Sequence, residues 1–375
     1  MTTESTSARC PVTTTLHRTT TALGHEGWVA TGHAQVRRLY ADPRLGRAHP
    51  TPETAARASD SMFFGGPMGN FDTEPADQAR LRELVVPYFS PRRMRDLTPR
   101  IEELTTALLD EMAATGSPAD LHTAVAVPLP LLVICELLGV PYEDRDQFRA
   151  WTEGLSEQVE TAKVQEGVAG LFAYFLTLIE RKKATGGDDV LARLCARGDL
   201  GDHGIAMLGL GLLFGGHETT VVEIGLGVKR LLENPEQWQA LVRDPDLVPT
   251  AIEELLRVAP MPRIPRYARD DAELDGCPVR KGDLVLLDLD SANHDPAVFP
   301  DPDRFDVTRT GAAHVTFGHG LRHCVGAPLA RIELQTVFRQ LVTRFPTLEL
   351  AVDPSEIALR TTTFTGGVRE LPVRW

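Results

Sequence analysis

The chain reads as a mostly α-helical protein with small β-sheets, and three observations carry that reading. Residues from about Asp202 to Leu232 are apolar enough to form one long buried helix, and Asn234-Pro235 ends it. After Cys324, the residues Ala330, Leu334, Val337, Phe338, Leu341 and Phe345 recur at three- and four-residue steps, the period of a helix burying one face. Upstream of that helix, Asp275-Gly276 and Lys281-Gly282-Asp283 are turn signals, and the second of them opens a short strand-like run, Leu284 to Leu289.

In chain order, residues 1–20 are polar and threonine-rich, with neither a secretory signal nor a membrane anchor, and are expected to be disordered. Trp28-Val29-Ala30-Thr31, followed by a short helix, opens a small N-terminal sheet. Helices are expected to dominate from about Pro75 to Ala259, short strands to follow, and the last fifteen residues to form a hairpin turning at Gly366-Gly367. No Pro-, Gly- or Ser-rich linker divides the chain, so residues 21–375 are expected to form one large domain.

The apolar run from Ala124 to Val140 is interrupted by Pro128, Pro130 and Glu136. The run from Gly204 to Gly216 is too short to span a bilayer, so no membrane segment is expected. A net charge of −13 argues against nucleic acid as a partner. Five cysteines, at 10, 135, 195, 277 and 324, form no Cys-x-x-Cys pair and leave one over. That argues against a disulfide scaffold or a zinc site and for a reducing, cytoplasmic setting.

The chemistry concentrates at Phe317-Gly318-His319-Gly320-Leu321-Arg322-His323-Cys324-Val325-Gly326-Ala327. A cysteine at a helix N-terminus meets unsatisfied N–H groups and the positive end of the dipole, which favour the thiolate, the form that ligates metal. Gly318, Gly320 and Gly326 permit a backbone that approaches a flat ligand closely. An isolated Cys-x-Gly is otherwise a buried cysteine beside a cap. A second locus is Gly215-Gly216-His217-Glu218-Thr219-Thr220. Two adjacent glycines inside a helix cost roughly 1 kcal/mol each against alanine, so a local widening or a close ligand is one explanation and a plain kink is the other. His217-Glu218 begins a zinc-protease His-Glu-x-x-His, but Val221 stands where the second histidine is needed.

Phe-Gly-x-Gly-x-x-x-Cys-x-Gly at 317–326 resembles the haem-thiolate signature of the cytochrome P450 family, soluble bacterial type. Two further elements of that family stand in order upstream. Glu254-Leu255-Leu256-Arg257 is similar to its Glu-x-x-Arg, and Phe299-Pro300-Asp301-Pro302-Asp303-Arg304-Phe305 is similar to its meander. Glutamate and arginine three apart are by themselves a weak, commonly solvated pair. With Arg304, the resemblance makes them a structural network.

The resemblance implies the P450 fold and haem b (iron protoporphyrin IX) with Cys324 as axial ligand. The thiolate pushes electron density toward iron and favours O–O cleavage. Thr219 would hydrogen-bond the bound oxygen and Glu218 would relay protons. Arg82, Arg266, His314 and Arg322 match positions that hold the haem propionates. Gln78 stands where bacterial members usually carry histidine, and Phe317 and Gly318 belong to the cofactor loop. By position, Phe63, Phe64, Met68, Leu212, Gly216, Ile264 and Phe364 are expected to face substrate.

The implied activity is monooxygenation of a small organic molecule, by hydroxylation or epoxidation, in bacterial natural-product biosynthesis. Oxidative coupling without oxygen insertion is the alternative. A non-catalytic helper protein is disfavoured by the presence of Cys324. A shortened stretch from Trp151 to Tyr174 suggests an open mouth for a bulky or carrier-tethered substrate. No flavin or nicotinamide motif is present, so electrons would come from a ferredoxin and an NAD(P)H-dependent ferredoxin reductase. Arg80, Arg92, Arg93, Arg95 and Arg331 are expected to supply the basic docking patch.

Overall fold

The computed structural model describes residues 16–61, 65–144, 147–148, 150–151, 161–360 and 366–375. Within them the chain is mainly helical with three small sheets, and it divides into two compact units, each drawn from segments distant in sequence.

The first unit takes residues up to 83, 256–305 and 310–324. Its five-stranded sheet has the order β1-β2-β8-β5-β3. Here β1 is Leu16–Thr20, β2 Glu26–Ala30, β3 Leu45–Gly46, β5 Ile264–Ala268 and β8 Leu284–Leu287. Strands β2 and β8 run parallel and the other neighbours antiparallel. All four residues of β8 are buried, which is why it reads as an unbroken apolar run instead of an alternation.

Strand β1 lies inside the stretch that sequence assigned to a disordered tail. Leu16 is buried in the sheet core and the polar residues after it pair with β2, so order begins earlier than residue 21. Helix α1 (His33–Ala41) contributes Val36, Leu39 and Tyr40 to the core formed by Leu16, Trp28, Leu45, Val285 and Leu287. β6 (Ala272–Leu274) and β7 (Cys277–Val279) form a hairpin whose two turn residues, Asp275 (φ 52°) and Gly276 (φ 77°), both take the positive φ that a tight hairpin demands. Helix α2 (Glu74–Val85) lies in this unit up to Glu83, and α10 (Leu289–Asn293) follows β8.

The second unit takes residues 84–255, 306–309 and 325–375. Its helices are α3 (Pro91–Thr115), α4 (Pro128–Leu138), α5 (Thr161–Thr185), α6 (Val190–Arg197), α7 (Asp202–Glu233), α8 (Pro235–Arg243), most of α9 (Val248–Val258) and α11 (Ala327–Arg344). A π-helical turn, His122–Ala126, precedes α4.

Helix α7 is the longest among the described residues, at 32 residues. Sequence counted only Gly204 to Gly216 as its apolar run. By length and composition the whole helix is able to cross a membrane, yet half of its most apolar stretch is buried in the unit, where it packs against α4, α5 and α11. Gly227 lets α11 come close, since a Cβ there would lie 2.8 Å from the Phe338 ring. Among the described residues the C-terminal hairpin has one bridge, Leu359 to Val368, with Gly366 and Gly367 both at positive φ. The final strand β10 (Pro372–Arg374) pairs instead with β4 (Ala119–Asp120) and β9 (Glu349–Leu350).

Cys135, Cys195 and Cys324 are free thiols. Cys277 is disulfide-bonded, which departs from the reducing setting expected from the cysteine pattern.

Candidate functional site

In the first unit the cysteine loop closes on itself. The Cys324 backbone N–H donates to the Phe317 carbonyl at 2.7 Å, and the Gly318 N–H donates to Val315 at 2.8 Å. Gly318 sits at φ +71° and Gly320 at φ +63°. A Cβ on Gly318 would lie 3.0 Å from the Tyr40 ring and 3.1 Å from the Arg322 carbonyl, so both conformation and space require glycine there. The first helical residue of α11 is Ala327 and its N-cap is Gly326. Cys324 therefore precedes the helix by three residues instead of opening it, and its thiol is exposed.

Two predicted cofactor residues brace this loop. Arg82 donates from Nη1 to the His323 carbonyl at 2.8 Å, and Arg322 donates from Nη2 to Glu74 Oε1 at 2.9 Å. Glu74, at the start of α2, is the functional residue that sequence missed. It is buried and also accepts the backbone N–H groups of Arg47 (2.7 Å) and Ala48 (3.1 Å) and the Arg269 guanidinium (3.2 Å). Burial alone would raise its pKa, but the Arg47, Ala48 and Arg322 hydrogen bonds outweigh it and hold the carboxyl below its ordinary range.

The charges here are unbalanced. Arg47, Arg266, Arg269 and Arg322 all act on the one carboxylate of Glu74. Arg266 is buried, donates from Nη1 to the Pro265 carbonyl at 2.9 Å and lies 5.1 Å from the Tyr40 ring centre. Its buried Nε has no partner among the described residues. Burial, with Arg322 and Arg47 adding like charge, pushes its pKa down to about 10, although the Tyr40 phenol and Glu74 pull the other way. A buried guanidinium with an open N–H inside an excess of positive charge fits a ligand bearing carboxylates. The two propionates of haem are such a ligand.

His314 accepts the Thr316 N–H at Nδ1 (3.2 Å) and its ring lies 5.8 Å from that of Phe317. Gln78 is half-buried on α2, one turn before Arg82. The residues expected to form a structural network make contacts within each unit. Arg257 donates to the carbonyls of Asn293 (2.9 Å) and Arg304 (3.5 Å). Glu254 accepts the Asp306 N–H (3.1 Å) and the guanidinium of Arg309 (3.1 Å), a residue that sequence did not name.

In the second unit, α7 presents Met207, Gly211, Gly215 and Thr219 as an exposed stripe at four-residue steps. A Cβ added at Gly211 or Gly215 would meet nothing within 4 Å. The Thr219 hydroxyl donates to the Gly215 carbonyl at 2.9 Å. Glu218 is buried and pairs with Arg360 Nη1 at 3.3 Å. Nearby, on the π-helical turn, burial lowers the pKa of His122, while Asp120 and Glu218 raise it and Arg360 lowers it further.

Of the predicted substrate residues, Leu212 is half-buried and Gly216 faces α4, where a Cβ would lie 3.1 Å from Ile134. The open positions of α7 are thus Gly211 and Gly215, each one residue before those that sequence chose. The exposed, side-chain-free step of four was the available signal. Met68 is exposed and Ile264 half-buried, both in the first unit. Phe63, Phe64 and Phe364 lie outside the described residues, as does much of the stretch expected to form a shortened lid.

The arginines expected to form a docking patch differ in their surroundings. Arg93 is paired with Asp188 (2.6 Å) and Arg331 with Glu253 (2.6 Å), whereas Arg92 and Arg95 are exposed with no ion pair among the described residues.

A family model described as Cytochrome P450 matches residues 180–363. The chain is 41% identical to pentalenolactone synthase of Streptomyces exfoliatus, covering 93% of this chain and 90% of that protein. It is 38% identical to the mycinamicin IV hydroxylase/epoxidase of Micromonospora griseorubida, covering 94% and 90%. Among solved structures, substrate-free PimD, a pimaricin epoxidase, superposes with a TM-score of 0.87 at 37% identity over 96% of this chain and 93% of that one.

Proposed function

Because this chain belongs to the cytochrome P450 family, we propose that it is a bacterial haem-thiolate monooxygenase of natural-product biosynthesis, inserting oxygen into a bulky scaffold. When bound, haem b activates dioxygen so that one oxygen atom enters the substrate and the other leaves as water. The observation that carries the assignment of residues is the buried, open Nε of Arg266 within an arginine excess, in the same compact unit as the cysteine loop.

In this reading Cys324 would ligate the haem iron, its place fixed by its own N–H on Phe317 and by Arg82 on the next carbonyl back. Arg266 and His314 would hold the haem propionates, and Gln78 stands one turn before Arg82 on α2. Arg322 keeps one nitrogen on Glu74 and offers its remaining charge. Tyr40 backs the loop at Gly318, which keeps the loop thin. Thr219 would offer a hydroxyl, and Glu218, tethered by Arg360, a carboxylate, for moving protons during turnover. The exposed stripe of Gly211 and Gly215 gives a substrate access to the helix backbone.

The names of the relatives, a mycinamicin IV hydroxylase/epoxidase and a polyene macrolide antibiotic pimaricin epoxidase, support hydroxylation or epoxidation of such a scaffold. The Glu218–Thr219 pair favours insertion over coupling. A cytoplasmic location, with electrons from a ferredoxin and its NAD(P)H-dependent reductase, completes the proposal.

The test is turnover under ¹⁸O₂, with the metabolite that accumulates in a strain lacking the gene as substrate. A product carrying one ¹⁸O atom supports insertion. A product formed without ¹⁸O assigns the chain to oxidative coupling.

A further inference from the structure

The open stripe of α7 continues past Thr219 to Glu223. Four residues along a helix return to the same face, about 6 Å further along the axis. Val221, Val222 and Ile224 are buried while Glu223 is only half-buried, so its side chain emerges on the stripe and not into the packed flank of the helix. Among the described residues it has no hydrogen bond and no ion pair. An unpaired carboxyl at this depth in an apolar helix costs stability, and packing alone would be served better by leucine.

Burial pushes the Glu223 pKa up to about 8, so the group both holds and releases a proton near neutrality. No charge or hydrogen bond from α4, α5, α6, α8, α11, β9 or the π-helical turn contributes to that shift, which burial produces alone. Arg360 and His122 belong to the surroundings of Glu218 instead. Burial likewise pushes the pKa of Glu333 on α11 well up, and one of its carboxyl oxygens has no partner among the described residues, but it is fully enclosed and opens on no such stripe.

We propose that Glu223 is a second proton-relay residue of α7, acting through Thr219 and intervening water in parallel with Glu218. The proposal rests on reading Thr219 as the oxygen-side hydroxyl. Each turnover joins substrate RH, O₂, two protons and two electrons from the separate donor protein to give ROH and water. The Glu223 O–H bond breaks as water or the Thr219 hydroxyl takes the proton onward. The carboxylate then regains a proton from solvent, leaving the residue unchanged over the cycle. Glu218 is engaged by Arg360, whereas Glu223 carries a proton with no counter-charge to detach from.

The test compares wild-type holoenzyme with Glu223→Gln, Glu223→Leu and Glu223→Asp. Infrared titration of the purified proteins should show a protonated-carboxyl band lost with a midpoint near pH 8 in wild type and missing from Glu223→Gln. With a surrogate ferredoxin, its reductase and NADPH, hydrogen peroxide released per NADPH should rise as pH passes 8 in wild type. Below pH 8 Glu223→Gln and Glu223→Leu should release more, with water-forming turnover down roughly 10- to 100-fold, the gap closing above pH 8, and Glu223→Asp should recover most of the loss. Because Glu223→Gln keeps size and shape, it distinguishes lost proton transfer from lost packing. An unchanged peroxide ratio and pH profile in Glu223→Gln, or no carboxyl band titrating above pH 7, overturns the proposal. The carbon monoxide spectrum of each variant separates this failure from failure of the haem-thiolate reading, which alone predicts a thiolate band in all of them.

Discussion

Replacing Glu74 by glutamine removes one negative charge from a buried position that four arginines share. The shape is kept, and an amide oxygen still accepts the Arg47 or the Ala48 N–H. What is lost is the charge that Arg322 meets at 2.9 Å and Arg269 at 3.2 Å, both largely covered, with side-chain exposures of 18% and 16%. Removing one partner of a covered ion pair leaves its mate uncompensated, at about 3–5 kcal/mol. The retained amide hydrogen bonds and the partial exposure of both arginines place the expected loss near about 3 kcal/mol at pH 7.

The pH dependence follows in sign. Glu74 has a depressed pKa in the fold, so its contribution is present above the ordinary carboxylate pKa and fades as pH falls through the lower folded value. The gap between wild type and Glu74→Gln should therefore be full at pH 7 and shrink toward pH 3. Urea unfolding followed by tryptophan fluorescence, with haem retention in parallel, measures both. A variant within about 1 kcal/mol of wild type at pH 7, or a gap that does not depend on pH, refutes the view that Glu74 braces the cysteine loop.

Arg266→Met should separate binding from folding. The haem-free protein should be as stable as wild type or more so, because a buried cation with an open N–H is gone, while haem transfer to apomyoglobin should accelerate about 10- to 100-fold; loss of stability with unchanged haem retention would count against the propionate role. The raised Glu223 pKa carries the opposite sign to that of Glu74. Stability is full below about pH 4.5 and is lost as pH rises toward 8, by up to about 5 kcal/mol over the 3.5-unit difference. Glu223→Gln should therefore flatten thermal stability between pH 6 and 9, and an unchanged slope would contradict it. Arg92→Glu with Arg95→Glu should slow reduction by ferredoxin, read by stopped flow, and leave substrate binding unchanged, since neither arginine is tied to a carboxylate within the described residues.

Local chemistry was legible in the sequence wherever one segment settles its own structure. Asn234-Pro235 closes α7 because asparagine ends a turn and proline cannot continue a helix, and α7 does end at Glu233. Asp275-Gly276 turns the β6–β7 hairpin because both positions need positive φ. The glycines around Cys324 marked a thin loop for the same reason. Partners brought together by folding were not legible. Glu74 reads as an ordinary first-turn glutamate, since its arginines stand 195 and 248 residues away. Arg360 reads as a loop cation until it meets Glu218 across 142 residues. Gly216 drew attention as half of a glycine pair, but the rotation of α7 turns Gly215 to the open side and Gly216 onto α4. Arg93 and Arg331 looked available for docking because their carboxylate partners, Asp188 and Glu253, belong to other helices or loops.

The central claim is that Cys324 ligates haem iron as a thiolate. The reduced, purified protein under carbon monoxide reports the ligand opposite the gas. A Soret band at the strongly red-shifted thiolate position, lost in Cys324→His with an imidazole-type band in its place, is the predicted result. An imidazole-type band in the wild-type protein, or no haem at all, would contradict the account.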